Sequence, residues 1–378
     1  MTVLSAAWLE DGAAQEVCEM LETGGHQAWF VGGCVRNALL DAPVTDLDIS
    51  TDAHPERVIA LAEAAGLKAV PTGIDHGTIT VVHDDQPFEI TTFRRDVETD
   101  GRRAVVAFAE TIEEDAQRRD FTINALYADR HGALRDPVGG LADLPDRRFR
   151  FIGLAEDRIR EDYLRILRFF RFFAWYGWEL DAEGLAACAA HGDGLASLSA
   201  ERVTSEVLKL LSAEDPAPAV AAMEHAGILH RTLPGASTKV LGPFLHFDPV
   251  SELDPMARLA ALGGDVVALR LSKAEARLHA TYRSIMEGSD TPGALGFHHG
   301  APVAHRGLAL RAAALETPLM DTDIASASRG AAAVFPVRAA DLPVRLQGPE
   351  IGATLKALEK VWIASDFSLS KEGLLARL

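Results

Sequence analysis

The sequence predicts an α+β protein whose N-terminal part mixes short strands with helices and whose remainder is helical. Three observations carry this. Residues 28–51 read as strand, glycine turn, helix and second strand. Two β-rich runs, Thr78–Val82 and Phe88–Phe93, flank a turn at 84–87 and read as a hairpin. From Glu156 onward apolar residues recur at helical spacing, and beyond Glu214 the chain is Ala- and Leu-rich with Gly and Pro punctuation. At 378 residues the chain exceeds one compact core, so two to four domains are expected.

Residues 5–24 have helical spacing and stop at Gly24-Gly25. A strand over Ala28–Val31 meets Gly32-Gly33, where the missing Cβ lets backbone approach a ligand, and the N–H groups opening a helix at Val35–Leu40 favour a phosphate. Pro43 and Thr45 end that excursion. Asp46-Leu47-Asp48-Ile49 then reads as a second strand with Asp46 and Asp48 on one face. Two carboxylates so placed repel unless a cation lies between them, which is what a two-metal site for phosphoryl chemistry requires.

His54–Gly66 reads as an Ala-rich helix, and the hairpin after it carries Glu89 between Phe88 and Ile90, either as a third metal ligand or as a charge on the solvent face. Arg94–Arg103 is a polar, turn-rich stretch with Arg94, Arg95, Arg102 and Arg103 bracketing acids. Asp136-Pro137-Val138-Gly139-Gly140 reads as a turn and hinge.

A helix over Glu156–Trp175 carries an apolar stripe of Ile159, Tyr163, Ile166, Phe170 and Phe173 and a ridge of Asp162, Arg165, Arg168 and Arg171. With Arg147, Arg148, Arg150, Arg158 and Arg160 these arginines form a basic stripe on a chain of net charge −18, the feature that keeps a nucleic-acid partner open. A carboxylate only accepts and a guanidinium only donates, so Asp162 beside Arg165 matches the amino group and ring nitrogen of cytosine or adenine and rejects uracil and guanine. Ser199 caps a further helix to Leu211. No apolar run reaches membrane-span length, and the N-terminus lacks the pattern of a signal peptide. Cys18, Cys34 and Cys188 make neither a disulfide framework nor a zinc motif, which suits a cytoplasmic protein. The histidines, including His246 and His298-His299, lack ligand spacing.

The stretch Trp29–Thr51 resembles the signature of the polymerase-β nucleotidyltransferase superfamily, and in detail that of the class II tRNA nucleotidyltransferase and poly(A) polymerase family. Segments 118–126, 136–140, 161–165 and 201–203 resemble that family in the expected order, over roughly the first 210 residues. The resemblance implies a polymerase-β-like head at 1–150 with a mixed sheet and helices, then an elongated all-α neck at 151–213, body at 214–290 and RNA-binding tail at 291–378. It implies Asp46 and Asp48 as catalytic ligands of two Mg²⁺, with Glu89 as a third acid. Gly32, Gly33 and Arg36 would hold phosphates, Arg119 and Asp120 would face the sugar and phosphates, Asp162 and Arg165 would template CTP and ATP, and Arg168 and Arg171 would add positive charge. The loop corresponding to 94–103 is mobile in resembling enzymes and takes part in changing nucleotide choice. The implied activity is addition of C and A to the tRNA 3′ end. A poly(A) polymerase shares the motifs, and a non-catalytic RNA-binding protein that kept the fold is the rival from another class. One departure stands out: Asn37 follows the motif arginine where the family usually has Asp.

Overall fold

The computed structural model describes residues 3–99, 104–343 and 346–378. The chain forms two compact units, one of residues 1–202 with His225–Arg231 and one of Val203–Glu224 with Thr232–Leu378.

In the first unit, α1 (Gly12–Thr23) is capped by Asp11, whose carboxylate accepts from the Ala14 N–H. Strand β1 (Trp29–Val31) leads through Gly32 into α2 (Gly33–Leu39), and β2 (Asp48–Thr51) follows. Helix α3 (Pro55–Ala64) precedes β3 (Lys68–Gly73), β4 (Thr78–His83) and β5 (Gln86–Thr92). Asp84 and Asp85 both have positive φ, so the hairpin turns in two residues rather than four. With β8 (Tyr127–Ala128) and β9 (Leu134–Arg135) these strands make one mixed sheet in the order β3-β4-β5-β2-β1-β8-β9, β2 and β5 being parallel. Alternation sends Phe30, Ile49, Ile79, Val81, Phe88 and Ile90 into a core with α1 and α3. Asp48 and Glu89, out of phase with that set, are left on the other face.

The polar stretch after β5 is not a bare loop: β6 (Arg94–Thr99) and β7 (Ala104–Phe108) pair as an antiparallel ribbon. Arg102 and Arg103 lie outside the described residues. Helix α4 (Ile112–Gln117), capped by Thr111, brings the chain to the Arg118–Asp120 motif. The turn at 136–140 is fastened rather than hinged. Asp136 accepts from the N–H groups of Gly140 and Leu141, and Gly140 lies so close to the Thr122 carbonyl that no Cβ would fit.

The single helix expected over 156–175 is two, α5 (Ala155–Glu161) and α6 (Leu164–Tyr176). Asp162 breaks them: its backbone is extended (φ −153°, ψ 104°), and its carboxylate accepts from the Leu164 N–H at 3.1 Å, serving the start of α6. The buried stripe of α6 is therefore Leu164, Leu167, Phe169, Phe170 and Phe172 with Ile166, while Tyr163 and Phe173 are only half-buried. Phe169 and Phe172 pack among Phe121, Phe149 and Phe151.

Among its described residues the second unit carries helices and one isolated bridge, between Ala236 and Gly263. Helices Pro292–His299 and Asp321–Ala332 meet through Gly293, Gly296 and Gly330, with no room for a Cβ at Gly296 or Gly330. Buried Arg258 donates to the carbonyls of Leu211, Ala213 and Glu214. Within 291–378, the stretch read as a tail, Pro349–Ala364 is helical and 344–345 lie outside the described residues. Among the described residues no helix is long and apolar enough to cross a membrane.

Candidate functional site

Gly32 has φ +71° and ψ −118°, a conformation closed to residues with a Cβ, and it turns β1 into α2. A Cβ built there would stand 3.6 Å from Nη1 of Arg119 and 3.6 Å from the Asn124 carbonyl oxygen, so the turn and the Arg119 guanidinium face each other. Gly33 opens α2, earlier than the helix start expected at Val35.

Arg36 does not lie open to phosphate as expected. It is 5% exposed. Its Nε and Nη2 donate to Asn37 Oδ1 at 3.0 and 2.7 Å, its Nη1 donates to Asn124 Oδ1, and its guanidinium lies 5.0 and 4.5 Å from the Phe172 and Tyr176 ring centres. Burial pulls its basicity down. The same bonds account for Asn37. Its Oδ1 accepts from Arg36 while its Nδ2 donates to the Pro43 carbonyl at 2.7 Å, a donation an ionised aspartate lacks, so the amide ties α2 to the segment leading to Asp46.

Strand β2 begins at Asp48, and Asp46 lies exposed on the irregular segment before it, its Oδ2 accepting from the Thr45 hydroxyl at 2.9 Å. Asp48 is the register partner of Glu89 on β5. Burial, the Glu89 carboxylate and the Asp46 carboxylate push the Asp48 carboxyl up to about 6, against partial relief from Arg119. Such accumulated negative charge fits a divalent cation, with Asp46 and Asp48 as the oxygen donors. Among the described residues no three His, Cys, Asp or Glu side chains are gathered closely enough to hold a metal by themselves, so Asp46, Asp48 and Glu89 are not a ready-made three-ligand cage.

Arg119 is fixed from below. Its Nε donates to Asp115 Oδ2 (3.2 Å) and to the Tyr127 hydroxyl (3.0 Å), and its Nη2 donates to Asp115 Oδ2 (2.9 Å) and Ser50 Oγ (3.2 Å). Asp115 has no solvent exposure and also takes Arg118 on its other oxygen at 2.8 Å. Burial opposes its ionisation, but the Arg119 and Arg118 guanidinia outweigh it and hold the carboxyl at about 2. Asp120 does not point to open solvent: its Oδ1 accepts from the Phe121 N–H and Asn124 Nδ2, its Oδ2 from Arg168 Nε at 2.7 Å. Burial opposes ionisation there too, and Arg168 overcomes it, again giving about 2.

Arg36, Arg168 and Arg171 surround one ring, at 5.0, 5.2 and 4.0 Å from the centre of Phe172. The rest of the basic stripe is largely neutralised within the fold. Arg148 and Arg150 pair with buried Asp143, Arg158 with Glu161, and Arg160 with Glu156 and Asp157. At the break before α6 the Arg165 N–H donates to the Asp162 carbonyl at 3.0 Å, but the two side chains take different partners. Arg165 donates to Glu161 Oε2 (2.6 Å) and to the carbonyls of Arg158 and Arg118 (both 2.9 Å), whereas Asp162 Oδ2 accepts from Arg202 at 2.6 Å.

The structure thus places Asp48, Glu89 and Arg119 on one side of the sheet beside the Gly32 turn, leaves Asp46 exposed on the segment leading into β2, and places Arg36, Asp120, Arg168 and Arg171 around Phe172. Sequence reading missed Asp115, Asn124, Tyr127 and Ser50. A signal existed for Asp115 alone, the last of three consecutive acids and the one standing three and four residues before Arg118 and Arg119.

Residues 28–150 match the family model described as the poly A polymerase head domain, and 177–239 match that of a probable RNA- and SrmB-binding site of polymerase A. The CCA-adding enzyme of Lactobacillus delbrueckii subsp. bulgaricus is 41% identical over 204 residues, 53% of this chain and 50% of that protein. That of Geobacillus thermodenitrificans is 40% identical over 225 residues, 59% of this chain and 54% of that protein. The matched stretch thus spans about half the length of these curated relatives. Among solved structures, the Bacillus stearothermophilus CCA-adding enzyme in complex with CTP superposes with TM-score 0.79 at 29% identity, over 96% of this chain and 95% of that one. The Thermotoga maritima CCA-adding enzyme complexed with tRNA shares the fold, at TM-score 0.72 and 16% identity over 100% and 98%. With head motifs, glycine turn and carboxylate strand in the same order, residues 28–150 carry a poly A polymerase head domain, and the chain is similar in sequence and fold to CCA-adding enzymes.

Proposed function

We propose that this chain is a cytoplasmic, template-independent nucleotidyltransferase that adds C and A to the 3′ end of tRNA from CTP and ATP, with Mg²⁺ as its metal. The observation that carries the reading is Arg119 facing the Gly32 turn on the sheet face that holds Asp48. The backbone N–H groups opening α2 and a planar guanidinium suit a triphosphate, and the adjacent carboxylates suit the ions that accompany it. The relatives named as CCA-adding enzymes, and the CTP held by the Bacillus stearothermophilus protein, favour these substrates.

In the reaction the terminal 3′ oxygen bonds to the α-phosphorus, the bond from that phosphorus to pyrophosphate breaks, and the hydroxyl proton leaves. Two Mg²⁺, held by Asp46 and Asp48 with Glu89 nearby, would supply hydroxyl acidification and charge neutralisation when bound. Gly32 and Gly33 would give room to the phosphates, and Arg119 would grip them and the sugar. Arg36 and Asp120 would act through the geometry of α2 and α6. Arg168 and Arg171 would contribute positive potential.

Asp162 and Arg165 would read the base. The Asp162 side chain is 31% exposed, and Arg165 has three of its five donors anchored by Glu161, Arg158 and Arg118. A base would take the remaining donors of Arg165 and the carboxylate of Asp162. Residues 1–150, 151–213, 214–290 and 291–378 would serve as head, neck, body and RNA-binding tail.

The test is incorporation of labelled CTP and ATP into tRNA trimmed of its 3′ nucleotides, with Mg²⁺ present or chelated, in the wild type, Asp46→Ala and Asp48→Asn. Metal-dependent incorporation lost in both folded variants is the expected result. Retained activity in either removes the two-metal assignment.

A further inference from the structure

Asp115 lies within α4, outside the short motif segments read from the sequence, yet it organises the guanidinium nearest the glycine turn. Its carboxylate is completely buried. Oδ2 accepts from Arg119 Nε and Nη2 and from the Tyr127 hydroxyl, the last at 2.8 Å, while that hydroxyl oxygen accepts from Arg119 Nε. Asp115, Arg119 and Tyr127 therefore close a ring of bonds along one edge of the guanidinium. The Nε/Nη2 edge is spent inside the protein, and Nη1 is the atom presented to Gly32.

An arginine side chain carries considerable rotamer freedom, and an unanchored one would lose it on each binding event. Anchoring through Nε and Nη2 removes that loss and fixes the guanidinium plane. It also leaves Asp115 no acceptor capacity toward a ligand: Oδ1 is taken by Arg118, Oδ2 by Arg119 and Tyr127. The carboxylate therefore cannot repel or bind the triphosphate directly, and whatever it does for the substrate passes through Arg119.

We propose, resting on the function assigned above, that Asp115 with Tyr127 is the positioning pair that holds Arg119 in the orientation for nucleoside triphosphate binding. Because Arg119 grips the triphosphate before and during transfer alike, the effect falls on substrate affinity more than on turnover.

The experiment measures KM and kcat for CTP and ATP on trimmed tRNA, and ATP Kd by calorimetry, in the wild type, Asp115→Asn, Tyr127→Phe, Arg119→Ala and the Asp115→Asn/Arg119→Ala double variant. Charge-assisted bonds of this kind predict that Asp115→Asn raises KM and Kd about tenfold or more, with kcat within about threefold. Tyr127→Phe raises them a few-fold. In the Arg119→Ala background, Asp115→Asn changes them by less than about twofold, because its route to the substrate is already cut. Unchanged KM and Kd in folded Asp115→Asn, or losses that multiply in the double variant, overturn the proposal. If Asp115→Asn does not fold, Tyr127→Phe decides, and unchanged affinity there is the contrary result. A wild type that binds ATP but extends no tRNA contradicts the assigned function, while the Kd comparison still tests Asp115.

Discussion

Asp48 of β2 and Glu89 of β5 are register partners on adjacent parallel strands, two like charges side by side on one face of the sheet. Alternation along β2 sends Ile49 into the core, so the polar face is fixed by the packing of the other. The fold thus holds in place a repulsion that unfolding would relieve.

That repulsion has a measurable sign. Asp48, raised to about 6 from an ordinary value of 3.8, costs the native state nothing below about pH 4, a cost that grows between about pH 4 and pH 6 and stays constant above. In metal-free buffer near neutral pH, Asp48→Asn is expected to be more stable than wild type by about 3 kcal/mol, and the gain should vanish near pH 4. Divalent cations should raise the melting temperature of the wild type and leave that of the variant unmoved. A variant less stable than wild type at neutral pH in chelator would show that Asp48 is not a strained ligand.

Asp115 and Asp120 have the opposite sign. Both are held at about 2, below the ordinary carboxylate value, by Arg119 with Arg118 and by Arg168. Their stabilisation is complete above the unfolded value near 4 and is lost as pH falls toward 2, roughly 2 kcal/mol from each. Urea midpoints at pH 5 and pH 3 should differ strongly in the wild type and less in Asp120→Asn. Equal pH slopes for the two proteins would contradict the assignment of Asp120 as an ionised, arginine-bound carboxylate.

Asp162→Ala should relax base choice more than it weakens triphosphate binding, because the carboxylate would read an amino group and touches no phosphate. UTP and GTP incorporation should rise relative to CTP and ATP, whereas Arg202→Ala, which frees the carboxylate of its arginine partner, should leave the preference for C and A in place. An equal loss for all four nucleotides in Asp162→Ala makes the residue structural.

Much of the head was legible in the sequence because its signals are local. Gly32 requires a positive φ, the Phe88–Ile90 alternation requires a half-buried strand, and both were read from spacing. The break at Asp162 was not legible from periodicity. The apolar spacing runs through it, and what interrupts the helix is the carboxylate taking the Leu164 N–H, a local capping bond that a stripe count ignores. The burial of Arg36 was hidden for a different reason. It depends on Phe172 and Tyr176, about 140 residues away in sequence and brought over α2 only by the tertiary fold. The neutralised basic stripe is a case between these. Glu156, Asp157 and Glu161 stand within one turn of Arg158, Arg160 and Arg165, so their pairing was readable, while the partnership of Arg148 and Arg150 with Asp143 required the chain to fold back.

The central claim is the addition of a short, defined sequence of C and A, and end-sequencing of the product tests it most directly. Given tRNA lacking its 3′ terminal nucleotides, CTP, ATP and Mg²⁺, the protein should add a few residues drawn only from C and A and then stop. Long adenosine tails on tRNA or on an unstructured oligonucleotide would instead make it a poly(A) polymerase, and tRNA ends left unextended would leave only a binding function for the fold.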